Sequence, residues 1–221
     1  MPDPNSDDGS ADDSDGAGAA PETAAVTGRK RPKPGERRIQ ILQTLAAMLE
    51  EPGAERVTTA ALAARIQVSE AALYRHCASK AQMFEGLIDF IEQSVFSLVN
   101  QIAEREADGR VQAQRSVAAL LQFGEKNPGM TRVMVGDALV FENERLLARM
   151  SQFFDRIESQ LRQSLRSAAE AAGSDTPTVD ANVQASVLTA FCVGRLQRFA
   201  RSGFKRLPTE QLDGAQRLLL G

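Results

Sequence analysis

A chain of 221 residues, 43% apolar and 25% charged, can bury an ample core in one large domain or two small ones. Its 26 basic and 29 acidic side chains leave a net charge of −3, so a polyanion would have to be met by local placement of charge and not by the total. No apolar run approaches the ~18 residues that span a bilayer, the N-terminus lacks the apolar core of a secretory signal, and Cys77 and Cys192 stand alone without metal-ligand spacing, so a cytoplasmic protein with two buried thiols is expected.

Residues 1–34 are dominated by Asp, Ser, Gly, Ala and Pro without a sustained apolar period. Such a composition cannot offset the entropy of ordering, and the segment is read as a disordered tail. Its first part carries Asp3, Asp7, Asp8, Asp12, Asp13, Asp15 and Glu22, read as solvated. Arg29, Lys30, Arg31 and Lys33 follow, with Arg37 and Arg38 just beyond. From 36 to 50, Ile39, Leu42, Ala46 and Leu49 recur at helical spacing, widened by Ile41, Leu45 and Met48, until Pro52-Gly53 stops the helix.

Residues 58–80 hold two short helices with a turn between them. Thr58 and Ser69 stand at the two N-cap positions, where a hydroxyl accepts an otherwise unpaired backbone N–H. Leu62, Ile66, Val68 and Leu73 supply the inner face. Two capped helices this short match a helix-turn-helix, which the preceding helix would complete as a three-helix domain. The alternative is a short helical hairpin inside an all-α core. Small Ser69, Ala71 and Ala72 would let the second helix lie close in a major groove, with Tyr74, Arg75, His76 and Lys80 at or just past its end. Residues 36–90 are close to electrically balanced, and the basic part of the tail would then serve as an arm along DNA.

Ser79-Lys80-Ala81-Gln82 has the form of a capping box opening a long helix to about residue 105. Its stripe is Phe84, Leu87, Ile88, Ile91, Val95, Leu98 and Ile102. Phe90 and Phe96 fall off the stripe on opposite sides, and each either packs on a neighbouring helix or is an exposed anchor for a partner. After Asp108-Gly109, Val111, Val117, Leu120, Leu121 and Phe123 mark a helix to Lys126, which Asn127-Pro128-Gly129 stops. A short segment, 130–135, leads to a long helix over 143–172 with Leu146, Met150, Phe153, Ile157, Leu161 and Leu165. Another runs over 179–202 with an expected inner face of Val183, Val187, Phe191, Gly194 and Phe199. A last short helix starting at Pro208-Thr209 carries Leu212, Leu218 and Leu219.

No strand-type alternation appears, so the fold class is all-α. The two long C-terminal helices carry more apolar surface than a hairpin can cover, and a second copy would complete a four-helix interface. A homodimer places two recognition helices ~34 Å apart, which implies a palindromic double-stranded DNA site. A closed monomeric bundle would read half a site. With a single His and no phosphate loop, metal-ligand cluster or nucleophile elbow, neither catalysis nor a cofactor is expected.

The block Val57-Thr58-Thr59, Leu62-Ala63, Val68-Ser69, Leu73-Tyr74-Arg75-His76, Ser79-Lys80 and Met83-Phe84 resembles the DNA-binding domain of TetR-family regulators. The resemblance implies a helix-turn-helix domain over 36–90 and a helical dimerisation and effector domain over 91–221. It implies DNA contacts from Thr58, Thr59, Ser69, Ala71, Ala72, Tyr74, Arg75, His76 and Lys80. Gln67 stands where the family usually has Gly, and Cys77 where an aromatic residue usually follows the His, so a slightly altered turn and looser packing are expected.

Further segments are similar to the nucleoid occlusion branch of the family: Gly124 to Gly129, Ala138 to Glu142, Phe154 to Glu158, Gln160 to Gln163, and Arg198-Phe199 through Arg201-Ser202, Phe204-Lys205 and Pro208-Thr209. In that branch a DNA-bound dimer binds the tubulin-like division protein FtsZ and blocks ring assembly over the chromosome, which implies a protein placed on the nucleoid. Carried over by position, the contact residues are Phe90, Lys126 and Asn127. Leu98 stands where a basic residue is expected and Gln122 where a Gly is. Most of the wider family instead implies a ligand-responsive transcriptional repressor.

Overall fold

The computed structural model describes residues 35–52 and 56–221, so the tail and basic arm read over 1–34 lie outside the described residues. Among the described residues the regular structure is all helical. The first group is α1 (Glu36–Glu50), α2 (Thr59–Arg65), α3 (Glu70–Tyr74) and α4 (Lys80–Arg105). The second is α5 (Gly109–Lys126), α6 (Pro128–Met134), a 3-10 turn (Asp137–Leu139), α7 (Glu144–Ala171), α8 (Pro177–Arg201) and α9 (Leu212–Leu220).

Side-chain caps set most of these starts. Thr58 Oγ1 accepts from Ala61 N at 3.2 Å, Ser69 Oγ from Ala72 N at 3.2 Å and Ser79 Oγ from Gln82 N at 3.1 Å. The expected capping box is displaced by one residue, since Gln82 Oε1 accepts from Ala78 N at 2.6 Å and not from the cap residue itself. Asp108 and Asn143 cap α5 and α7 in the same way. Asn127-Pro128-Gly129 both stops α5 and starts α6. Pro128 sits at the head of α6, where its fixed φ suits the helix and its missing N–H costs nothing.

Ile41, Leu45 and Leu49 of α1 close on Leu62, Ile66, Leu73 and Cys77, and one continuous core runs from there through α4 to Leu220. Several stripe assignments shift. Ile39 is 56% exposed, because α1 turns the Ile41–Leu45–Leu49 row inward. Phe96 is buried against Phe153, with ring centroids 5.5 Å apart, so it is core and no anchor. On α8 the buried row is Ala181, Ala185, Leu188, Cys192 and Leu196, while Val183 and Val187 of the expected inner face point outward. Small alanines took the core because α7 and α8 pack closely as an antiparallel hairpin, and hydrophobicity alone favoured the valines. On α9, Leu212, Gln216 and Leu220 face inward and Leu218 is exposed.

Both thiols are buried, and burial pushes Cys77 up and Cys192 to about 12, which keeps them neutral.

One glycine sets how the first three helices meet the rest. A Cβ on Gly129 would overlap the carbonyl oxygen of Ala46, so α6 lies against the backbone of α1. Gly129→Ala is expected to destabilise the fold by about 1–3 kcal/mol by forcing these helices apart. A denaturant midpoint equal to that of the unsubstituted protein would show that the seam gives way at no cost.

Candidate nucleic-acid interface and partner face

The turn between α2 and α3 ends α2 with two bonds, Gln67 N to Ala64 O at 3.1 Å and Val68 N to Ala63 O at 3.0 Å. Closing both bonds requires a left-handed residue at position 67. Gln67 adopts it, with φ 57°, at a cost on the order of 1 kcal/mol. The substitution of Gln for Gly therefore leaves the turn's geometry in place. Under α3 lies a cleft of about 120 Å³ bordered by Ile41, Ile66, Val68, Leu73 and His76. Cys77 is fully buried nearby without lining it.

The expected DNA-contact residues divide by what they already hold. Thr58 and Ser69 use an oxygen lone pair as a cap, and each hydroxyl proton remains available to a phosphate. Thr59 is committed: its Oγ1 donates to Glu70 Oε2 at 2.7 Å and ties α2 to α3. Ala71, Tyr74, Arg75 and His76 are exposed, and Ala72 is half-buried. Tyr74 and Arg75 follow Ala71 at the three- and four-residue spacings that share a helix face. Lys80 stands apart. It forms an ion pair with Glu142, 62 residues on, and lies 5.7 Å from the Phe84 ring centroid.

On the other side of α4, Phe90 is 48% exposed and its ring lies 6.4 Å from that of Phe123 on α5. Gln122 and Lys126, one turn apart on α5, are exposed. Leu98 is exposed two turns further along α4. Asn127 is half-buried, and its Nδ2 donates to Phe123 O at 2.8 Å, so it closes the end of α5 with one of its two amide N–H groups.

Sequence reasoning missed the contacts that hold α4 against α7. Beyond Lys80–Glu142, Arg145 pairs with Glu85 at 2.6 Å, and Arg149 pairs with Asp89 at 2.6 Å and Glu92 at 2.8 Å. Arg156 covers the Phe96 ring at 3.9 Å. The hydrogen bonds that Arg149 donates to Glu92 are the largest of the forces that hold its proton still more tightly than usual; burial opposes them. Partners about 60 residues apart leave no mark on local periodicity. The Ala138 to Glu142 segment supplies Glu142 and leaves Val140 and Phe141 largely exposed.

Residues 41–87 match the family described as bacterial regulatory proteins, tetR family, and residues 108–220 match the SlmA-like tetracyclin repressor-like C-terminal domain. The nucleoid occlusion factor SlmA of Vibrio cholerae serotype O1 is 52% identical over 178 residues, covering 80% of this chain and 90% of that protein. This chain belongs to the SlmA family. SlmA of Salmonella typhi is 51% identical over 178 residues, covering 80% of this chain and 89% of its own. The fatty acid degradation regulator FadR of Bacillus halodurans shares the TetR-type fold, with a TM-score of 0.68 at 16% identity over 86% of this chain and 97% of that one. None of the described helices is long and apolar enough to cross a membrane.

The half-buried Lys80–Glu142 pair is expected to couple the two residues energetically. In a cycle of Lys80→Met, Glu142→Gln and the double variant, a coupling energy of roughly 0.5–3 kcal/mol is expected from chemical denaturation. Additive single effects would show that the pair contributes no coupling.

Proposed function

We propose that this protein is a nucleoid occlusion factor, a homodimer that reads a palindromic DNA site through α3 and, on DNA, holds FtsZ against the α4–α5 face so that no division ring assembles over the chromosome. The observation that carries this reading is about half identity to nucleoid occlusion factors over nine-tenths of their length, at 51% and 89% for the Salmonella typhi protein. Residues 36–90 form its DNA-binding part and 91–221 its pairing and partner-binding part. It works in the cytoplasm, on the nucleoid.

Ser69 and Thr58 donate to phosphates and fix the register of α3. Ala71 and Ala72 allow close approach to thymine methyls, and Tyr74, Arg75 and His76 reach base edges or backbone. Pairing uses α8, where Val179, Val183, Val187, Ala190 and Gly194 recur at helical spacing on an outward face. A Cβ on Gly194 would meet nothing, so a second helix has room to approach it closely. Two-fold pairing there sets the α3 helices ~34 Å apart, one turn of DNA.

On the partner face, Phe90 is an apolar anchor whose ring has an exposed edge, and Lys126 adds a cation one side of it. Leu98 stands in place of a basic residue and makes the contact more apolar, while Gln122 in place of Gly adds a bulkier, polar side chain, so the contact is reshaped relative to the branch. Helix α4 joins the two tasks, since it starts at Lys80 beside the recognition helix and carries Phe90 three turns on.

Arg75→Ala is expected to weaken site-specific DNA binding by about 10-fold or more, the scale of one base or phosphate hydrogen bond, while sedimentation still shows a dimer. Unchanged affinity would exclude Arg75 from the interface. Phe90→Ala is expected to leave DNA affinity unchanged and to abolish binding to FtsZ. Equal loss of both would mean that Phe90 serves the fold.

A further inference from the structure

The end of α8 and the turn after it carry Arg198, Arg201, Lys205 and Arg206, all exposed and, among the described residues, without an ion-pair or hydrogen-bond partner for their side chains. We infer that this basic turn is a second phosphate-binding surface, which grips the DNA backbone beyond the helix-turn-helix. The inference rests on the DNA-binding reading above and extends it to residues outside that motif.

The turn is a built structure. Phe204 N donates to Phe199 O at 2.9 Å and Gly203 N to Ala200 O at 3.2 Å, which closes the end of α8. Phe204 packs edge-on against Phe199 with centroids 5.2 Å apart. Ser202 Oγ donates to Phe199 O at 2.9 Å and accepts from Lys205 N at 3.1 Å and Arg206 N at 3.0 Å. Phe204 holds φ 64°, a left-handed conformation that a bulky residue adopts only when its surroundings impose it. Arg132 of α6 covers the Phe204 ring at 5.1 Å, and Arg195 is anchored by donating to Glu210 O at 2.9 Å. These contacts fix the backbone from which the four cations project.

Its place favours DNA. Helices α7 and α8 are antiparallel, so the end of α8 lies beside the start of α7, where Glu142 holds Lys80 of the DNA-reading part. Arg132 links the turn to α6, and α6 rests on α1 through Gly129. The basic turn therefore sits at the end of the second domain that faces the helix-turn-helix. Between 36 and 90 the chain has six basic and seven acidic residues, too little positive charge to bind a polyanion tightly on its own. Four unpaired cations per subunit, doubled in the dimer, supply what that domain lacks.

The test is the salt dependence of binding to the protein's palindromic site, read by fluorescence anisotropy on the full chain. Replacing all four cations with Gln is expected to keep the dimer and the preference for the site over an unrelated duplex. It is expected to reduce the slope of log K against log salt by at least about 2, at roughly 0.9 for each phosphate no longer neutralised. A variant with Arg198, Arg201 and Arg206 replaced by Lys is expected to retain the slope; a reduced slope there would mean that guanidinium packing and not charge was measured, and would overturn the inference. An unchanged slope in the Gln variant also overturns it. So does an unchanged slope with loss of FtsZ co-sedimentation, which would assign the turn to an acidic protein partner. Failure of the unsubstituted protein to prefer its site would instead defeat the underlying DNA reading.

Discussion

Helix α4 is buried on two sides at once, and the rest of the molecule is arranged around that constraint. Its first turns close the core under α2 and α3 through Met83, Phe84 and Leu87, and its later turns bury Val95, Phe96 and Val99 among the C-terminal helices. Along its length it is tied to α7 and the turn before it by Lys80–Glu142, Glu85–Arg145 and the Asp89–Arg149–Glu92 cluster. Single exposed ion pairs contribute little, but several in register between two helices whose apolar rows already interlock fix one alignment of those helices. A shift at the recognition helix would have to move α4 against these rungs or carry α7 with it. Under the proposed function, this is how DNA bound at one end is felt at Phe90.

Of the three left-handed non-glycine residues among the described residues, Gln211 precedes α9 and the other two fall where charge or shape is presented. Gln67 and Phe204 both accept a left-handed φ without being glycine. Each lies just past the end of a helix that carries exposed polar groups, and each has a hydrogen-bonded turn built around it. Gln67 sets the angle between α2 and α3. Phe204 holds the basic turn. Strain of this sort persists only when the surroundings over-determine the conformation.

Helix boundaries were largely legible in the sequence because they are local. Capping hydroxyls at Thr58, Ser69 and Ser79 and the apolar period of α1, α4 and α7 place those helices within a residue or two. Which face turns inward was less legible on α8, where tight packing selects alanine and leaves Val183 and Val187 outside. The double role of Pro128 was hidden because a helix stop and a helix start share the same residues. Of the candidate site, the exposure of Tyr74 and Arg75 followed from their places off the apolar rows, whereas Phe90 and Phe96 both fall off the stripe and only Phe90 is exposed. The pairing of Lys80 with Glu142 and the inward hydrogen bond of Asn127 depend on tertiary neighbours, and residue type alone carries no sign of them.

The measurement that bears most directly on a DNA-dependent division inhibitor is sedimentation of FtsZ polymers formed with GTP, with this protein alone and with its palindromic DNA. Loss of pelleted polymer, or co-sedimentation, only when DNA is present is the expected result. Polymer unaffected with or without DNA, while palindromic binding remains tight, would contradict the proposal and return the protein to the ligand-responsive repressors of its wider family.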